Sequence, residues 1–321
     1  MTRVLLFRLA QATLVVALVV TACFALIRLA PGDPFFAALE QPDVPVEAAA
    51  RMRAQFGYDR PIGEQYLRFL SGIARGDLGW SHSRARPVTE VLAQVVPNTL
   101  LLMGTALFVG LVLGVAVGAW QGWRAESRLA RATDRLGVVL VSVPEFVLGL
   151  VMALLFAVVW RLLPIGGMRT EYGPSGIAGL FDVLRHLVLP AGTLAIVIAA
   201  IVARHQRAAM RAVRDAEFLR AARAMGIPER RIVLRYALRN ALAPVLTVMG
   251  VLLASLASGA VLIERIFAWP GMGRALVDAV LYRDYPLVAG AVLVTSIGVV
   301  GATLLADLAV WWADPRARGR L

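Results

Sequence analysis

Apolar residues run through this chain in long blocks, separated by segments that hold nearly all of its charge. Six blocks are almost free of charged side chains: Leu9–Ile27, Val91–Trp123, Leu136–Trp160, Leu187–Ala203, Asn240–Ile263 and Tyr285–Ala306. A helix needs about 20 apolar residues, within a range of roughly 17–25, to cross the hydrocarbon of a bilayer. Every block reaches that range, although Leu187–Ala203 is the shortest and carries Pro190. The pattern predicts an all-α integral membrane protein with six transmembrane helices, at 9–27, 99–121, 137–160, 187–204, 241–263 and 286–309. One transmembrane domain is expected over 1–321.

Composition sharpens this picture. The 321 residues are 59% hydrophobic and 17% charged, with a mean hydropathy of +0.73. Soluble domains have roughly 45–50% apolar and about 25% charged residues. Arg3 and Arg8 ahead of the first block also fit a secretory signal, and Val20-Thr21-Ala22-Cys23 has the look of a lipoprotein cleavage box. The apolar run continues to Ile27, however, and exceeds a signal core of about 7–15 residues. A retained spanning helix is therefore expected. Cys23 is the single cysteine, which rules out an internal disulfide or a cysteine-based metal site, and it reads as a small packing residue.

Charge orients the chain. Arg3 and Arg8, the segment 121–135, the segment 204–239 and the tail together carry a formal charge of +13. Segment 204–239 alone has ten arginines against Asp215, Glu217 and Glu229. The segment 30–90 carries −1, and 164–186 and 264–284 are each neutral. Positive charge flanking spans stays cytoplasmic, so both termini are expected inside. The same rule accounts for the net charge of +12 without a nucleic-acid partner.

The residue inventory excludes several chemistries. All 33 basic residues are arginines. Without lysine the chain has neither a phosphate-binding P-loop nor a Schiff-base nucleophile. His82, His186 and His205 are too widely separated for a metal-ligand spacing. No catalytic group, cofactor or metal is expected, and any linked ATP hydrolysis belongs to another chain.

The loops differ in kind. The external loop, about 30–97, contains Pro31–Pro34, an amphipathic stretch near Pro45–Phe56, and Gly76–Trp80; short helices on the outer face are expected there. The cytoplasmic loop 205–240 is more informative. Arg204, Arg207, Arg211 and Arg214 share one helical face and extend the fourth span into water. Arg220 and Arg223 fall on the opposite face of that register, which predicts a bend near Asp215, the expected N-cap of a new short helix. That helix runs through Glu217, Phe218, Leu219, Arg220, Ala221, Ala222 and Arg223, and Gly226 with Pro228 stops it. A second helix restarts near Glu229. The small residues Ala221, Ala222 and Ala224 suit close approach by another protein.

Here the residues resemble a known family. Arg220–Gly226, followed by Leu238–Pro244, is similar to the "EAA" loop of ATP-binding-cassette (ABC) importer permeases, in the dipeptide, oligopeptide and nickel branch. Arg28–Pro34, Arg60–Tyr66, Gly76–Ser81, Pro87–Leu92, Ser142–Phe146, His186–Ala191, Phe267–Gly273, Arg283–Pro286 and Asp314–Arg318 follow in the order that branch shows. The loop's leading Glu is Arg220 here, and its later Ile-x-Leu-Pro is Tyr236–Arg239. The resemblance implies the type I ABC importer permease (MetI-like) fold in a bacterial inner membrane. It also implies a homologous permease partner, two ABC ATPases, and a periplasmic or lipid-anchored solute-binding protein. Asp215 through Pro228 would be the ATPase-coupling loop. Peptides are the leading solute, with nickel, glutathione and oligosaccharides as alternatives.

Two other readings bear on single residues. Glu145 lies within an apolar block, where an acid marks either a helix-terminal or bundle-facing polar role, or contact with solute. It would also be the thin support for a secondary transporter. The glycines Gly104, Gly110, Gly114 and Gly118 are expected to let the second span pack closely. Trp80, Trp269, Trp311 and Trp312 read as interfacial aromatics.

Overall fold

The computed structural model describes residues 2–29, 59–242, 244–245, 248–252 and 261–313. Helix dominates, as a lipid solvent requires, because hydrocarbon offers no partner for an open backbone N–H or C=O. In chain order the elements are α1 (Thr2–Leu29), α2 (Ile62–Ala74), a two-stranded hairpin of β1 (Trp80–Ser81) and β2 (Arg86–Pro87), α3 (Val88–Trp123), and α4 (Arg128–Ser142). Then follow α5 (Glu145–Met152) with a π segment (Ala153–Val159), α6 (Gly176–Arg214), and α7 (Glu217–Ala224). A helical run continues as α8 (Glu229–Arg231), a π segment (Ile232–Ala237) and α9 (Leu238–Ala241), before α10 (Val261–Ile266), α11 (Met272–Leu281) and α12 (Tyr285–Ala313).

Among the described residues four helices are long and apolar enough to cross a membrane: Phe7–Leu29, Val88–Trp123, Gly176–Arg214 and Tyr285–Ala306. The block expected as a straight third span is instead broken. α4 and the helix beginning at Glu145 meet at 105°. The cause is Pro144, which lacks an N–H and pushes the preceding Val143 to extended geometry (ψ 127°). The bent pair could supply a fifth crossing. About half of the expected fifth span, 241–263, lies outside the described residues, as does all of the amphipathic stretch 45–56. α3 also begins nine residues before the expected end of the external loop, at Val88.

The chain packs as two compact units: Met1–Asn98 with Gly271–Gly298, and Thr99–Pro270 with Val299–Leu321. In the first, Val88, Val91 and Leu92 pack on Met272, Ala279, Leu287 and Ala291. The hairpin is fastened by a buried acid. Asp284 is fully buried and accepts from Ser81 Oγ (2.5 Å), Ser83 N–H (3.0 Å), Ser83 Oγ (2.7 Å) and the Leu287 N–H (3.3 Å). The last of these makes Asp284 the N-cap of α12. Arg84 adds an ion pair to Asp278 at 3.3 Å.

The second unit is built on the contact of α3 with α6. A Cβ on Gly110 would stand 3.0 Å from the Ala195 carbonyl oxygen, one on Gly114 2.8 Å from that of Ala199, and one on Gly122 2.7 Å from that of Arg207. Gly118 comes closer still to the Ala203 carbonyl oxygen. These glycines recur every four residues, so one face of α3 is bare backbone against α6. Gly104 has nothing within 4 Å of a built Cβ and takes no part. Above this contact, Leu102, Leu187, Leu194, Ile263, Phe267 and Trp269 form the apolar core. Trp269 is thus a core residue, not an interfacial one.

The glycine contact yields a paired test. Gly118→Leu overpacks a backbone contact that has no side chain able to yield, a cost of about 1–3 kcal/mol or more. It should sharply lower the yield and thermal midpoint of the purified chain, whereas Gly104→Leu should leave both near wild type. Equal behaviour of the two variants would contradict the close approach.

Candidate functional site

The loop after α6 carries the best-defined local structure outside the spanning helices. α6 runs on to Arg214, held by Arg207 against Asp134 of α4 and by Arg214 Nη1 donating to the Trp123 carbonyl oxygen at 3.4 Å. The chain then turns at Asp215 and restarts as α7. The expected capping residue is corrected here. Ala216 is the N-cap, with extended geometry and no side-chain cap bond, and the Leu219 N–H donates to its carbonyl at 3.0 Å. The Asp215 carboxylate is 79% exposed and lies 3.9 Å from Arg214 Nε. It closes α6 instead of opening α7, because the turn needs one more residue than the sequence spacing suggests.

The end of α7 is well made. The Gly226 N–H donates to the Arg223 carbonyl (2.9 Å) and the Ile227 N–H to the Ala222 carbonyl (3.2 Å). These are the two bonds of a Schellman closure, with Gly226 in the left-handed position it requires, φ +73°. Ile227 then folds back on the apolar cluster beneath the helix, and Pro228 starts the next helical run. Glu217 in the first turn and Arg223 in the last suit the helix dipole. Arg223 also pairs with Glu229 (3.3 Å) and lies 5.5 Å from the centre of the Trp123 ring.

The helix has two faces. Leu219 and Ala222 are buried against Met210 of α6, Ile232, Ala237 and Ala241. Ala222, expected on the presented surface, is therefore part of this chain's own core. Presented instead are Phe218 (44% exposed), Ala221 and Met225 (72% exposed), spaced three and four residues apart on one side. Arg220, Arg223, Ala224, Gly226 and Pro228 are also exposed. The result is an apolar strip within a basic surface, braced from behind by a packed cluster. Such an element transmits displacement well, since its backing leaves it little freedom to tilt by itself.

Glu145 stands elsewhere, in the first turn of α5 just past the Pro144 bend, and it is exposed on this chain. Helix-terminal placement suits its charge. Two acids missed by the sequence reading are more deeply engaged. Glu264, counted with a neutral loop, is fully buried and accepts from Thr99 Oγ1 at 2.6 Å; Asp284 is the buried cap described above. Asp284 directly ahead of the last apolar block could have hinted at a helix cap, though not at its burial.

The expected outcome of a substitution at the closure is specific. No atom crowds a Cβ at Gly226, so Gly226→Val strains the backbone alone, by about 1–2 kcal/mol for left-handed geometry. Trypsin cleavage at Arg223 and Arg230 should rise about tenfold in the folded protein, with Gly226→Asn in between. An unchanged cleavage rate in the valine variant would rule out the turn.

Two family models cover the chain. The model described as "Binding-protein-dependent transport system inner membrane component" matches residues 110–319, and its N-terminal counterpart matches 1–103. Among relatives, a Brucella suis biovar 1 protein with the name of a peptide permease is 38% identical over 298 residues, 92% of each chain. The dipeptide transport system permease protein of Escherichia coli K12 is 32% identical over 315 residues, again 92% of each. The oligopeptide transport system permease protein of Bacillus subtilis 168 is 33% identical over 294 residues, 91% of this chain and 92% of the other.

Proposed function

The chain belongs to the family of inner-membrane components of binding-protein-dependent transport systems, and from that premise we propose that it is one of two paired permeases in an ABC importer of di- and oligopeptides. The solute assignment draws on the names of the relatives, which match over nine-tenths of their length. The observation that carries the mechanism is the two-faced helix α7, buried by Leu219 and Ala222 and open at Phe218, Ala221 and Met225.

On this reading six spans cross the inner membrane with both termini in the cytoplasm, in keeping with the arginine distribution. The spans add the bent pair and the 241–263 segment to the four long helices. A homologous permease completes the pathway, an external binding protein delivers the peptide, and two ATPases hydrolyse ATP below. The exposed strip of α7 seats in one ATPase. Closure of the ATPases displaces α7, and its packed backing on Met210 passes that displacement into α6. The coupling is rigid-body motion about packed elements, which needs no reactive group in this chain.

Docking is tested at the exposed strip. Phe218→Asp with Met225→Asp places charge where an apolar contact forms, each costing about 1–3 kcal/mol at the interface. The variant should fold and pair normally yet lose ATPase co-purification and peptide uptake. Ala222→Asp should instead destabilise the chain itself. Wild-type uptake with the ATPase still bound in the double variant would sink the coupling assignment.

Topology is tested by labelling in a Cys23→Ser background. Cysteines at exposed Arg75 and Ser175 should react with an impermeant maleimide in intact cells, and one at exposed Ala212 should not. Labelling at Ala212 would invert the orientation. Ser81, fully buried under Asp284, would be a poor reporter.

A further inference from the structure

Where α1 ends, the first unit forms an open cavity of about 360 Å³. That is the size range of small-molecule sites, roughly 300–1,000 Å³. Its lining is mixed. Phe24, Ile27 and Ala289, on the last turns of α1 and the first turns of α12, supply apolar surface. Arg28 and Arg68 add cations, and Trp80 and Tyr285 add amphipathic aromatics.

Each part is held in place. Phe24 stacks on Phe69 (5.6 Å between centroids) and tilts against Tyr66 (5.2 Å), and the Tyr66 and Thr21 hydroxyls share a hydrogen bond of 2.7 Å. Arg28 lies over the Phe24 ring at 5.5 Å. Arg68 is braced from one side by Glu64 at 3.3 Å. Asp77, also in the lining, has one carboxylate oxygen taken by the Gly79 N–H at 2.9 Å. Burial holds the His82 imidazole below its usual range, against the pull of Asp284, so it adds no charge near neutral pH.

We propose that this cavity is a binding site for a phospholipid, with Arg28 and Arg68 on the phosphate and Phe24, Ile27 and Ala289 beside the upper acyl chain. Depth supports a lipid over a soluble anion. Arg28 closes the last turn of a 23-residue apolar helix, which sets it at the boundary of the hydrocarbon. Trp80 and Tyr285 are the side chains that settle at that same level. α1 itself buries almost none of its apolar surface in this chain, and Leu26 and Leu29 in its last turns are 66% and 79% exposed. A lipid wedged there would tie the otherwise peripheral α1 to α2 and α12.

The test uses the full chain purified with its partner subunits, stripped of lipid in detergent and offered dioleoylphosphatidylglycerol. Native mass spectrometry should show one retained lipid per copy of this chain. Arg28→Gln with Arg68→Gln should lower its occupancy by about tenfold, the loss of charge-assisted phosphate contacts. Ala289→Phe, which fills the cavity and leaves both arginines, should do the same, so a folding defect in one variant does not decide the matter. Arg75→Gln, outside the lining, should retain the lipid. Undiminished retention in both cavity variants overturns the proposal. So does displacement of the lipid by an equal concentration of inorganic phosphate, which would assign the arginines to a free anion.

Discussion

The approach of α3 to α6 rests on an absence of side chains. Glycines at 110, 114, 118 and 122 let carbonyl oxygens of α6 come within van der Waals reach of the α3 backbone. In lipid there is no hydrophobic gain from hiding Leu against Leu, so helices hold together by such close dispersion contact. The consequence reaches well beyond the pair. α6 is 39 residues long, and its registration against α3 sets where Met210 sits and hence where α7 is backed.

Within the first unit, order comes from polar groups. Asp284 gathers the hairpin and the start of α12 through four donors. A buried carboxylate with this many partners recovers much of its lost hydration, and the short strands would have little else to hold them. Two turns, one in each unit, use strained backbone to bury a polar or aromatic side chain. Ala268 and Arg283 take φ of +48° and +54° in closures like that of Gly226, and the next residues, Trp269 and Asp284, are fully buried. The strain, of order 1–3 kcal/mol for each, is offset by what it places inside.

These features support the coupling role proposed for α7. The apolar strip of α7 is supported by a cluster that joins α6 to the helical run after Glu229, so a push on Phe218 or Met225 meets packed side chains directly. The π segment Ile232–Ala237 lies in that backing, and Ile232 and Ala237 are buried in it. Wide helical turns of this kind shift register more readily than ideal ones, and they recur at working parts of helices.

Much of this was legible in the sequence, for a physical reason. Hydrocarbon thickness and the ban on open backbone groups tie apolar block length to helix directly, and the stop at Gly226 follows from the geometry only glycine takes easily. The stripe at Gly110, Gly114 and Gly118 was readable for the same cause, since four-residue spacing can mean little else on one helix face. Tertiary structure alone decided the rest. Pro144 could have kinked a span gently, yet the chain turned 105° there. Ala222 and Ala221 are identical side chains, and only packing put one inside and the other out. Glu264 and Asp284 gave no local signal of burial, because an acid is stable inside only when distant donors such as Thr99 and Ser81 arrive to meet it. Spacing along a chain encodes period and length; it does not encode which partner, more than a hundred residues away, completes a hydrogen bond.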